Sequence, residues 1–110
     1  MAIKSTFIGD IPMQATQTLQ QFTTWTVNSV PEREGVYQLF DSSRSLIYIG
    51  RSDNIRRRLS EHLNTSDTCI KSTAYFTYEV TARSVQREQE LIEEYRRLHG
   101  RYPRCNDQGR

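Results

Sequence analysis

The chain has 110 residues, of which 35% are hydrophobic and 10% aromatic; this is enough for one compact core and too little for two. It contains no apolar run long enough to cross a bilayer, and its opening residues lack the basic and apolar regions of a secretory signal, so a soluble, cytoplasmic protein with no membrane partner is expected. A net charge of +2 is too small to identify a nucleic-acid binder, but thirteen of the fifteen basic residues are arginine, the side chain suited to bidentate phosphate recognition.

The charge is unevenly spread. Residues 1–34 carry Lys4 and Arg33 against Asp10, Glu32 and Glu34, whereas residues 51–58 hold four arginines against Asp53 and residues 96–110 hold five against Asp107. Such clusters form either a solvated face or an anion-binding surface. Cys69 and Cys105 make neither a C-x-x-C pair nor a disulfide framework, and neither stands at a metal-finger spacing from a histidine, so both read as ordinary thiols.

Residues 1–30 are rich in Thr and Gln and read as an accessory N-terminal segment packing on a main domain at 31–110. Within the segment, Ala15–Thr24 predicts a helix with Leu19 and Phe22 on one side, followed by an extended stretch holding Trp25 and Val27. Pro31 disfavours helix in the residue before it and opens a stronger pattern. Val36, Gln38 and Phe40 alternate with Tyr37 and Leu39, Leu46–Ile49 is a second β-prone run, and Asp41–Ser45 between them has turn chemistry. A β-hairpin carrying Tyr37 and Tyr48 is predicted.

After Gly50, Ser52 or Asp53 is a candidate cap for a helix whose apolar positions Ile55, Leu59 and Leu63 recur every four residues. At about 100° per residue, Arg58 and His62 lie in line along one edge of that stripe, and Arg57 points away. A third β-prone run, Thr73–Val80, precedes Ser84, a candidate cap for a helix running through about Leu98 and ending before Gly100. Val85, Leu91, Ile92, Tyr95 and Leu98 make its expected buried face, with Glu88 in the middle. An ionised Glu88 among apolar neighbours needs a cation or strong hydrogen bonds.

Gly35-Val36-Tyr37 and Tyr48-Ile49-Gly50, with ten residues between the tyrosines, match the two halves of the GIY-YIG signature. Arg58, His62, Glu88 and Asn106 follow in order, and from residue 31 to 107 the chain resembles the GIY-YIG endonuclease family. The resemblance implies an α+β domain with a central, mainly antiparallel three-stranded sheet flanked by helices. It also implies metal-dependent hydrolysis of a nucleic-acid phosphodiester, with DNA as the expected partner and Mg²⁺ or Mn²⁺ as cofactor.

By the same resemblance, Glu88 holds the metal, Arg58 binds the scissile phosphate, and Tyr37 or Tyr48 activates the attacking water. His62 orients a tyrosine or shuttles a proton, and Asn106 is a supporting residue. Leu98–Arg101 lengthens the link to Asn106, and His99 within it reads as an exposed residue near a helix end. Gly35 and Gly50 serve either close approach to substrate or turns, while Arg51, Arg56, Arg57, Arg101 and Arg104 read as phosphate-tracking charge. A structural alternative makes both tyrosines core aromatics and pairs Arg58 with Glu88. A functional alternative is a nucleic-acid-binding module whose cleavage is weak or depends on a partner. The sequence leaves open the choice of tyrosine, the substrate's structure, and whether a protein partner or a homo-oligomer forms.

Overall fold

The computed structural model describes residues 18–106. The strands are β1 (Gln20–Gln21), β2 (Gly35–Phe40), β3 (Leu46–Ser52) and β4 (Tyr75–Val80), and the helices are α1 (Thr24–Val27), α2 (Ile55–Leu63) and α3 (Ser84–His99). They build a four-stranded sheet in the order β1-β4-β2-β3 with every pairing antiparallel. The architecture is the α+β one expected, with four strands in place of three. The extra strand comes from the N-terminal segment, where Gln20 and Gln21 pair with Phe76 and Tyr75 and Phe22 packs edge-on against Phe76 at 5.7 Å.

That pairing overturns the helix expected over Ala15–Thr24 as far as residues 18–24 are concerned; its first residues lie outside the described ones. The extended stretch expected at Trp25 and Val27 is instead α1, started by a capping box in which Thr23 and Thr26 each bond the other's backbone N–H. Val27 and Val30 enter the core and Trp25 stays exposed.

The central strand β2 is buried on both faces, which explains its near-continuous apolar sequence. On one face Tyr37 and Leu39 pack with Ile55, Leu59, Ile70 and Phe76, under α1 and α2. On the other, Val36 and Phe40 meet Leu91 and Tyr95 of α3. Gln38, also buried, accepts a hydrogen bond from Thr77 Oγ1 at 3.1 Å.

The hairpin turn forms around Asp41, whose Oδ1 accepts from the backbone N–H of Ser43 and Ser45, with Arg44 in the left-handed region. β3 carries one irregularity. Leu39 pairs with Tyr48 and Phe40 with Leu46, so Ile47 is an extra, bulged residue. The bulge shifts the alternation of the strand, and Tyr48 thereby shares a face with its cross-strand partner Leu39 and with Tyr37.

Both expected helix caps are displaced. Ser52 is still in β3, paired with Gly35, and the cap of α2 is Asn54, whose side chain accepts from Arg57 N at 3.0 Å. Ser84 is the first residue of α3 rather than its cap, because its hydroxyl is taken by Glu34 and Arg51. Gly100 ends α3 at φ 75°, as expected of a glycine after a helix. The buried face of α3 is narrower than expected, since Leu91 and Tyr95 are buried while Val85 and Leu98 are exposed.

Cys69 and Cys105 are not free thiols; they form a disulfide. Their separation of 36 residues gives no spacing signal, and only the fold brings the C-terminal segment beside the 3-10 turn Ile70–Ser72. There Cys105 N donates to the carbonyl of the bulged Ile47 at 2.8 Å.

Candidate active site

Tyr37 is almost wholly buried, and its hydroxyl lies 2.8 Å from His62 Nε2. The two rings sit 5.5 Å apart and Tyr48 completes a triangle, at 6.1 Å from Tyr37 and 5.5 Å from His62. Gly50 makes the arrangement feasible. It pairs directly with Tyr37 across the strands, and a Cβ there would fall 2.5 Å from the Tyr37 hydroxyl. Gly35 is likewise a close-approach position, with a Cβ meeting the Glu79 carbonyl at 2.2 Å and Ile55 Cδ1 at 2.6 Å. Neither glycine forms a turn, and the atoms that crowd both belong to the protein itself.

A cleft of about 230 Å³ opens over this cluster, lined by Tyr48, Arg58, Glu61, His62, Thr65, Asp67 and Ile70. Burial raises the Tyr37 phenol far above its ordinary range; Tyr48 adds to the rise, and the Arg58 guanidinium opposes it. Arg58 donates from Nη1 to Glu61 Oε1 at 2.8 Å, so its ion-pair partner is Glu61 and not Glu88. That hydrogen bond holds the Glu61 carboxyl below the usual range. Sequence reasoning missed Glu61, although its i,i+3 spacing from Arg58 on one helix was a usable signal. Thr65, Asp67 and Ile70 had none, because they follow the helix in a loop.

Glu88 stands apart from that cleft, on α3 and thus on the opposite side of the sheet. It is half-buried, and desolvation raises its carboxyl while nearby Arg51 pulls it down. It makes no hydrogen bond or salt bridge among the described residues. Those residues also contain no group of three or more His, Cys, Asp or Glu able to enclose a metal. The donor chemistry therefore suits a hydrated, oxygen-seeking divalent ion held by one carboxylate, and does not suit zinc.

Asn106 clamps β3 from outside, accepting from Ile49 N and donating to Ile49 O, both at 2.9 Å. Of the arginines expected to track phosphate, several already have partners. Arg51 donates to Ser84 and Asp53, Arg56 to the Val30 carbonyl and Glu32, and Arg104 to Asp41 and Ser72. Arg57 lies 3.7 Å from Glu61, and Arg101 is exposed. His99, expected at an exposed helix end, is the last residue of α3 and stacks on Tyr95 at 4.2 Å.

The family model described as "Domain of unknown function (DUF7508)" matches residues 13–98. The UvrABC system protein C of Rickettsia bellii is 32% identical over 74 residues, 60% of this chain and 12% of that protein. The same protein of Rickettsia canadensis is 33% identical over 73 residues, 59% of this chain and 11% of that one. The match thus spans about an eighth of these relatives' length. Among solved structures, the chain resembles the GIY-YIG N-terminal endonuclease domain of UvrC from Thermotoga maritima, a point mutant bound to its catalytic divalent cation. The TM-score is 0.56 at 25% identity, over 66% of this chain and 87% of that one. A second mutant of that domain gives 0.55 at 22% identity, over 67% and 93%.

Proposed function

The chain belongs to the family described as a domain of unknown function, DUF7508, and has the fold of GIY-YIG endonuclease domains, and from that premise we propose that it is a divalent-metal-dependent endonuclease acting on DNA. The observation that carries this reading is the meeting of Tyr48 and Arg58 in one cleft above the Tyr37–His62 hydrogen bond. Phosphodiester hydrolysis needs an activated water, a counter-charge for the phosphorane and relief for the leaving oxygen. Arg58 binds the phosphate and offsets its growing charge.

Burial keeps Tyr37 protonated, so water activation falls to Tyr48, which reaches the cleft with the Arg58 cation beside it. Tyr37 and His62 hold the floor beneath Tyr48, and Asn106 fixes the β3 backbone one residue further on. Glu88 is the residue to hold a divalent cation, Mg²⁺ or Mn²⁺, which when bound supplies Lewis-acid stabilisation of the leaving oxygen. The divalent cation bound to the Thermotoga maritima domain supports this assignment.

A second reading, a nucleic-acid-binding module whose cleavage needs a partner, is favoured by the ion pairs that already occupy Arg51, Arg56 and Arg58. A cleavage panel of duplex, flap, junction and single-stranded DNA and RNA, with Mg²⁺ or Mn²⁺, separates the two. Under the nuclease reading, Glu88→Ala lowers turnover by about 10²-fold or more while the circular dichroism spectrum is unchanged. Equal cleavage by Glu88→Ala removes the metal assignment. Salt-sensitive binding with no cleavage of any substrate supports the module.

A further inference from the structure

The cleft that receives the phosphate is not a simple basic pocket. Its one guanidinium, Arg58, faces two carboxylates, Glu61 and Asp67. Asp67 is committed to its own loop, where Oδ1 accepts from Cys69 N at 2.9 Å and Ile70 N at 3.2 Å. Glu61 takes Arg58 Nη1 at 2.8 Å and stands 3.7 Å from Arg57 Nε, so it touches both neighbouring arginines of α2. A carboxylate and a phosphate present similar oxygens to a guanidinium fork and compete for it.

Resting on the reading of Arg58 as the phosphate-binding residue, we propose that Glu61 is an internal competitor for the scissile phosphate. It occupies Arg58 until a nucleic-acid phosphate displaces it, and so sets affinity through Arg58 without touching the substrate. Being one helical turn away, Glu61 is always within reach of Arg58, and weakly bound phosphates do not capture the guanidinium. Its side chain is 51% exposed, so the pair is screened by water and yields to a nucleic acid that makes further backbone contacts. Glu61 is in these terms a positioning residue that holds the binding group in reserve.

The test is a double-mutant cycle on DNA affinity, read by fluorescence anisotropy on a labelled duplex without divalent metal, at low and at physiological salt. Glu61→Gln keeps the shape of the side chain and removes its charge. The expected result is binding tighter by about two- to five-fold with Arg58 present, and no such gain in the Arg58→Ala background. In cleavage assays the same substitution lowers KM by more than it changes kcat. Equal tightening in both backgrounds reduces the effect to net charge and overturns the proposal, as does unchanged or weaker binding. A protein that shows the cycle but cuts nothing loses the nuclease reading and keeps this one. A protein that binds no nucleic acid at low salt loses both.

Discussion

Tyr37 lies under the cleft, with its hydroxyl against His62 and its ring over Gly50. Burial favours the neutral phenol, so the folded protein holds this proton more tightly than the unfolded chain does. The stability gained from that preference is complete below the ordinary phenol value of about 10 and is lost as pH rises beyond it. Tyr37→Phe keeps the buried ring and removes the titration. At neutral pH the variant is less stable by about 1 kcal/mol, because it gives up the hydrogen bond to His62. Between about pH 8 and about pH 11 its melting temperature falls less steeply than the parent's. Identical alkaline slopes in thermal melts show that Tyr37 is not the proton-holding group described here.

At the level of elements, the site depends on the irregular edge strand β3. The Ile47 bulge turns Tyr48 to the α2 side, and Asn106 secures the strand by both hydrogen bonds to Ile49. Asn106→Ala removes both bonds from a partly buried position and is expected to cost about 2 kcal/mol in urea unfolding. Turnover falls with it, because Tyr48 is adjacent to Ile49. Asn106→Asp offers a charged acceptor to Ile49 N but no donor to Ile49 O, so it does not restore parent stability. An Asn106→Asp as stable as the parent removes the clamp. Much of this scale was legible in the sequence. Alternation and turn chemistry gave the hairpin, and fourfold spacing gave α2 with Arg58 and His62 on one edge. The bulge was not legible, because an extra residue in a run of Leu, Ile and Tyr leaves no mark until the partner strand sets the register. β1 was missed for a related reason. A short polar strand is defined by the edge it joins, and local pattern carries no information about that edge.

Across the whole molecule, the C-terminal segment is tied back by contacts far apart in sequence: Cys105 N to Ile47 O, Arg104 to Asp41 and Ser72, and the Cys69–Cys105 disulfide. The two cysteines read as thiols in isolation because nothing in their spacing anticipates that residues 36 apart become neighbours. The bridge stands between two parts of the site, since Ile70 lines the cleft directly after Cys69 and Asn106 clamps β3 directly after Cys105. Closing a loop of 36 residues restricts the unfolded chain and, by the loop-entropy relation, contributes about 3–4 kcal/mol. A reducing cytosol holds the pair as thiols and an oxidising compartment closes it, so the domain is expected to have two stabilities. Urea unfolding of the same preparation with and without reductant measures the difference directly and avoids the packing change of a Cys→Ser variant in a buried position. The expected outcome is a lower midpoint in reductant, with no iodoacetamide uptake by the unreduced, urea-denatured protein and two additions after reduction. Two additions before reduction mean that no bridge exists. A bridge that forms without moving the midpoint means that the hydrogen bonds of Cys105, Arg104 and Asn106 hold the segment by themselves.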